Sequence, residues 1–193
     1  MKQSELLSIL RLAAKLKTTD RHCWTAPDRK ESVADHSWRI SLMAMLLRPE
    51  FPEADMDKVI KMCLIHDIGE AFTGDIPTFW KTSADEEKEE QLFDSWVATL
   101  PEGTREEWIS LLAEMEALQT LEAKLYKSLD KMEAVISHNE SDISTWLPLE
   151  YELQLTYGAE NVGFSPYMTA LKTEIDAWTR EKIKNEAPQV GKE

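Results

Sequence analysis

Residues 63–77 read CLIHDIGEAFTGDIP, and this stretch decides how the rest of the chain is interpreted. Its start is apolar, yet His66 and Asp67 follow side by side, with Glu70 and Asp75 close behind. Burying an imidazole or a carboxylate without a partner is costly, so a helix that enters a core rarely carries both for structural reasons alone. Adjacent residues on a helix point about 100° apart. His66 and Asp67 therefore meet a common partner only over the edge between their directions, near a helix end.

Working outward, helical periodicity dominates and strand-like alternation is nearly absent. Leu6, Leu7, Ile9, Leu10, Ala13 and Leu16 form the apolar stripe of a first helix. Residues 18–32, TTDRHCWTAPDRKES, are polar and longer than an ordinary helix connection, which predicts an ordered functional loop. A second helix is expected from Val33 to Arg48, stopping before Pro49. Asp55 is the expected N-cap of a third, which runs into the quoted motif until Gly69, Gly74 and Pro77 loosen and end it. Ser83 is the expected cap of a fourth helix, whose DEEKEE run predicts a solvated face. Pro101 and Gly103 precede a fifth around Trp108, Leu111 and Leu112. Three more are expected over residues 121–138, 147–157 and 166–184. The prediction is one all-α domain over residues 1–185, a bundle of seven to eight helices, with a frayed tail over 186–193.

Composition narrows the function classes. Hydrophobic residues make up 42% and charged residues 30%, and no apolar run reaches the ~18 residues of a membrane span. The amphipathic N-terminus lacks the apolar core of a secretory leader, and the two cysteines, Cys23 and Cys63, suggest no disulfide framework. A cytoplasmic protein without membrane partners is expected. A formal net charge of −14 argues against a nucleic-acid polymer as partner. It leaves a small phosphorylated ligand open, since a metal ion and a few local cations can reverse the field within one cleft.

The four histidines are His22, His36, His66 and His138, and two of them touch an aspartate in sequence, in ADHSW and LIHDIG. Asp130 flanks the apolar stripe Leu125, Leu129, Met132 and Ile136, where a carboxylate needs a partner. His36, His66, Asp67 and Asp130 together make a mixed nitrogen and oxygen donor set, suited to one Mn, Fe, Co, Ni or Zn ion. Such a set keeps positions open for water and substrate. Glu70, one turn past His66, stands beside that ion and is suited to orient or deprotonate water. Asp75 follows a glycine in a loop and is expected to face the same cleft, the alternative being a cap for the turn before Pro77. His138 lies ~12 Å along its helix from Asp130, too far to share the ion. His22, Lys81 and Lys124 read as solvated surface residues.

The ordered segments ESVADHSWRISLMAML, HDIGEAFTGDIP and LDKMEA resemble the HD-domain metal phosphohydrolases, and within them the 5'-deoxynucleotidases and their eukaryotic HD-domain-containing relatives. The similarity runs from about Leu6 to His138. It implies one divalent transition metal on His36, His66, Asp67 and Asp130, catalytic roles for Glu70 and Asp75, and a homodimer. It also implies an arginine for phosphate contact and a tryptophan that senses the sugar, here Arg21 and Trp24. Those two are adjacent in the bacterial enzymes, whereas His22 and Cys23 separate them here, as in the eukaryotic branch. The implied activity is hydrolysis of nucleoside 5'-monophosphates, deoxyribonucleotides above all, to nucleoside and phosphate.

Three other readings share these residues. A dinuclear phosphodiesterase needs more histidine ligands, and only His22 and His138 are left over. A hydrolase of guanosine tetraphosphate or of deoxynucleoside triphosphates needs more cations for a longer phosphate chain. A non-catalytic nucleotide-sensing module would bind without releasing phosphate.

Overall fold

The computed structural model describes residues 1–187. Most of the chain is helical: α1 (Gln3–Ala13), α2 (Val33–Leu47), α3 (Met56–Ile65), a single turn α4 (Glu70–Thr73), α5 (Ser83–Val97), α6 (Glu102–Ala117), α7 (Leu121–Glu140), α8 (Glu150–Thr156) and α9 (Pro166–Glu186). Short 3-10 turns extend α1 and α2 and precede α8 and α9. The last residue of the final helix is Glu186, and positions 188–193 of the expected tail lie outside the described residues.

The long helix α7 is the axis of the bundle. It packs against α2, α3, α6 and α9 and against the strand β1 described below. Its Leu125, Leu129, Met132 and Val135 are wholly buried beside Ile40 and Ala44 of α2 and Val59, Met62 and Cys63 of α3. These apolar positions recur at three- and four-residue spacing, which puts them on one side of each helix. The buried cluster is continuous from Leu16 to Ile175.

Residues 18–32 are not an irregular loop. They fold into a hairpin, β1 (Asp20–Ala26) and β2 (Arg29–Ser32), paired antiparallel with Asp20 opposite Ser32 and Trp24 opposite Lys30. The register slips twice, so the two-residue alternation that marks a strand in sequence is broken. Pro27 and Asp28 make the turn, as suits their preset φ and local hydrogen bonding.

Several element ends also differ from expectation. Thr82, not Ser83, caps α5: its hydroxyl accepts from the Asp85 N–H, and the Asp85 carboxylate accepts from the Thr82 N–H at 3.0 Å. Gly103 lies within α6, so Pro101 alone marks its start. The stripe expected on α1 splits. Leu16 is buried and Ile9 packs on the core, whereas Leu6, Leu7 and Leu10 are exposed.

Candidate metal centre and cavity

Local structure at three helix ends aims the site. Ser32 caps α2 with its hydroxyl accepting from the Asp35 N–H, while Asp35 returns a bond to the Ser32 N–H at 2.9 Å. This capping box holds His36 in the first turns of α2, fully buried. Helix α3 ends at Ile65, and the chain tightens into three-residue turns (Ile68 N–H to Ile65 O at 3.2 Å, Glu70 N–H to Asp67 O at 3.1 Å) before α4. That tightening turns His66 and Asp67 toward the same side. Gly74, with φ of 80°, ends α4 in a conformation open to glycine and sends Asp75 back across the opening. Gly69 serves a different purpose: a Cβ there would come 3.2 Å from the Glu89 side chain, so the glycine lets α5 approach.

The four donor groups converge. His36 Nε2 is 3.3 Å from His66 Nε2 and 3.4 Å from Asp130 Oδ1, and His66 Nε2 is 2.9 Å from Asp67 Oδ2. The longer separations are 3.9 Å, from His36 to Asp67 and from His66 to Asp130. Both Nδ1 atoms are committed behind the site. That of His66 bonds the Cys63 carbonyl at 2.9 Å, and that of His36 bonds the buried Glu133 carboxylate. In the neutral rings both Nε2 atoms therefore carry lone pairs, which face each other and two carboxylate oxygens. Four acceptors at such distances repel unless a cation stands among them, and bonds of ~2.1 Å to one ion would separate its ligand atoms by about this much. The donor set fits a divalent transition metal.

Behind this centre runs a buried polar chain that the sequence did not reveal. Ser137 Oγ lies 2.7 Å from Glu133 and 2.7 Å from Glu31, and Glu31 accepts from Arg21 Nε at 3.0 Å. Arg39 approaches Glu133 at 3.5 Å from the surface side. Glu31 and Glu133 sit near His36 closely enough to chelate an ion, but their oxygens already have these partners, so they act as supports. Glu31 stands in the ESVADH segment and Glu133 in LDKMEA, so the spacing to His36 and Asp130 was the available signal.

The centre opens into a cavity of about 270 Å³. Arg21 lines it, with Nη1 3.6 Å from Asp67 Oδ2. Lys81, Lys127 and Lys131 line it too, whereas Lys124 does not. Lys127 and Lys131 stand 3.0 and 3.9 Å from Asp130, and Lys81 bonds Glu89 at 2.9 Å. Glu70 and Asp75 share the same wall, and Glu70 Oε2 is buried without any hydrogen-bond partner among the described residues.

Trp24 is absent from the lining; Lys30 covers its ring at 5.6 Å. The slipped register of β1 instead admits His22, whose ring meets Phe79 edge-on at 5.8 Å. His22 is thus a cavity residue rather than a solvated one. His138 and Glu150 join it there: Glu150 Oε1 lies 3.1 Å from His138 Nε2 and 3.5 Å from His22 Nε2.

Charge polarises the site. Burial works against ionising Asp67 and Asp130, but His66 beside the first and Lys127 beside the second outweigh it, and both carboxyls are held low. Burial and Arg21 press the His36 pKa down, yet Asp130 and Glu133 outweigh them and raise it to about 9, so the cluster calls for a positive charge that either a proton on Nε2 or a metal ion would supply. Burial, with Asp67 and Asp75 near, pushes Glu70 up to about 10. Seven carboxyl groups line the cavity against four lysine and arginine side chains, so an added divalent cation relieves the field and favours their ionised forms.

The family described as HD domain matches residues 13–172. The 5'-deoxynucleotidase HDDC2 of Bos taurus is 30% identical over 189 residues, which cover 95% of this chain and 90% of that one. The 5'-deoxynucleotidase HDDC2 of Homo sapiens is 33% identical over 139 residues, 70% of this chain and 67% of that one. Among solved structures, a predicted metal-dependent phosphohydrolase from Magnetospirillum magnetotacticum superposes with a TM-score of 0.76 at 27% identity, covering 93% of each chain.

Proposed function

The chain belongs to the HD domain family, and on that premise we propose that it is a metal-dependent 5'-deoxynucleotidase, releasing phosphate from deoxynucleoside 5'-monophosphates. The observation that carries this reading is the convergence of His36, His66, Asp67 and Asp130 at one end of a cavity bordered by Arg21, Lys127 and Lys131. These four side chains are the proposed ligands of one Co, Mn, Zn, Fe or Ni ion. When bound, that ion supplies Lewis acidity toward a phosphoryl oxygen and toward water.

The remaining chemistry belongs to the chain. Arg21, oriented by Glu31, offers its remaining N–H groups to the phosphate, as a guanidinium fork suits. Lys127 and Lys131 neutralise the phosphate from the α7 side. Glu70 turns its unpartnered oxygen to the attacking water and orients it, and a cation bound at the four donors would favour its ionised form, which takes the proton. Asp75 assists departure of the 5'-oxygen. Trp24 stands outside the cavity lining, so His22 and Phe79 are the proposed sugar-side wall.

The excess of carboxylates over cations favours a monophosphate over guanosine tetraphosphate or a deoxynucleoside triphosphate. His22 and His138 are engaged with Glu150, away from the metal ligands, which disfavours a dinuclear site. We further propose a cytoplasmic homodimer: the cysteines are buried and free, and α1 exposes Leu6, Leu7 and Leu10. Light scattering tests the dimer. No α-helix among the described residues is long and apolar enough to cross a membrane.

The test of the activity is phosphate release by metal-stripped protein, resupplied in turn with Mn²⁺, Co²⁺, Zn²⁺ and Mg²⁺. Matched substrates are dAMP and AMP, dGMP and GMP, and dUMP and UMP. Metal-dependent release with a deoxy preference is expected. Equal use of ribonucleotides would refute the deoxy selectivity, and no release from any pair would leave a sensor.

A further inference from the structure

We propose that Ser137 is a positioning residue, whose hydroxyl ties Arg21, the phosphate contact, to His36, the metal ligand, and so fixes the separation of the two. This rests on the nucleotidase reading above and deepens it, since a phosphate held by that site must reach both groups at once.

Helix α7 builds the tie from two positions one turn apart. Glu133 and Ser137 stand at i and i+4, so their side chains share one face. Ser137 Oγ lies 2.7 Å from Glu133 Oε1 and 2.7 Å from Oε1 of Glu31, which β2 supplies. Each carboxylate spends its other oxygen on a side chain of the site. Glu31 Oε2 accepts from Arg21 Nε at 3.0 Å, and Glu133 Oε2 accepts from His36 Nδ1. One hydroxyl thus joins two matching arms, each a carboxylate followed by a nitrogen donor. At the front the arms meet again: Arg21 Nη1 and His36 Nε2 lie 3.6 and 3.9 Å from the same oxygen, Asp67 Oδ2. Ser137 closes this ring at the back.

The back of the ring is dry, with Glu133 and His36 at 0% exposure, Glu31 at 2% and Ser137 at 4%. A methyl group in place of the hydroxyl would leave both inner carboxylate oxygens unpaired and facing each other. The hydroxyl is small enough to stand between them, and its hydrogen turns to either one. Its removal changes no charge and deletes only the joint, so each carboxylate turns about its own torsions and carries its nitrogen partner with it. The arms differ in what then holds them. Arg39 Nε still approaches Glu133 at 3.5 Å, whereas the hydrogen bonds of the Glu31 side chain among the described residues are those to Arg21 and Ser137 alone. The phosphate arm therefore depends on Ser137 more than the metal arm does. Sites of this kind tolerate about 0.5 Å of misplacement.

The experiment measures two affinities of the full chain that Ser137 does not touch: Zn²⁺ by dye competition, and inorganic phosphate by calorimetry on protein loaded with one equivalent of Zn²⁺. Ser137→Ala should weaken phosphate about five- to ten-fold and Zn²⁺ about two- to three-fold, as expected for one lost hydrogen bond shared unequally. Ser137→Thr, which restores the hydroxyl, should return both to within about two-fold of the parent. If the alanine variant does not fold, Ser137→Cys, with a weaker donor, takes its place. A lowered Tm with both affinities parent-like makes Ser137 merely structural and overturns the proposal, as does a parent that binds Zn²⁺ but no phosphate. Weakened affinities that the threonine variant leaves unrestored overturn it too. The expected pattern upholds the tie even if no nucleotide is hydrolysed, an outcome that would sink the nucleotidase reading alone.

Discussion

His36 and Glu133 form a buried pair: the imidazole Nδ1 donates to the carboxylate, and this leaves Nε2 as the lone pair that faces His66. A carboxylate in this position fixes the tautomer and orientation of a metal-binding histidine and raises its basicity. Glu133→Gln should keep the fold, since the amide is isosteric, and weaken metal binding by about 10- to 100-fold. Competition with a metal-sensitive dye measures this; parent-like affinity would make Glu133 merely structural.

Asp67→Ala should abolish both metal retention and turnover, a loss of roughly three orders of magnitude in kcat/KM. Metal analysis of the purified variant, alongside phosphate release, decides it. In the parent, chelation of the ion should lower Tm, because a ligand at 100 times its Kd adds about 2.7 kcal/mol to the folded state. An unchanged Tm after chelation would argue against a metal in this cluster.

Glu70→Ala should retain the metal and lose about 10²- to 10⁴-fold in kcat. Loss of the ion in this variant would make Glu70 a ligand and overturn the division of roles between Glu70 and the four donors.

Glu150 makes a pH test away from the metal donors. Burial opposes its ionisation, but bonds from His138 and the Leu147 N–H hold its carboxyl below the usual range. A group with a depressed folded pKa contributes stability that is complete above its unfolded value, near 4.3, and lost as pH falls through the folded value. The parent should therefore exceed Glu150→Gln in Tm at neutral pH, and the gap should close over roughly pH 5 to 3. Calorimetry of both proteins across that range is the check, and a gap that widens on acidification would contradict it.

Helix content and the chemical character of the centre were legible because both depend on short-range pattern. Apolar spacing in residues 121–138 marked α7 to within two residues of its end, and the capping preference of Asp55 marked the start of α3. Asp130 stood out because a carboxylate beside a packed stripe needs a partner, and the structure brings it to His36. The hairpin was hidden because two bulges erase the alternation of a strand, and the cap moved from Ser83 to Thr82 because either hydroxyl suits the role locally.

What the sequence determined by itself was the all-helical core and the presence of two His–Asp neighbours with a carboxylate one turn on. Each follows from residue type and helical geometry within about ten positions. What only the tertiary structure decided was which polar groups share a wall. Glu31, Glu133 and Ser137 form one chain only because β2, α2 and α7 meet, and His22 reaches His138 and Glu150 only because β1 lies on α7. Trp24, two residues from His22, misses that wall for the same reason. Pairing across a hundred residues depends on how helices and strands dock, and no local spacing encodes that.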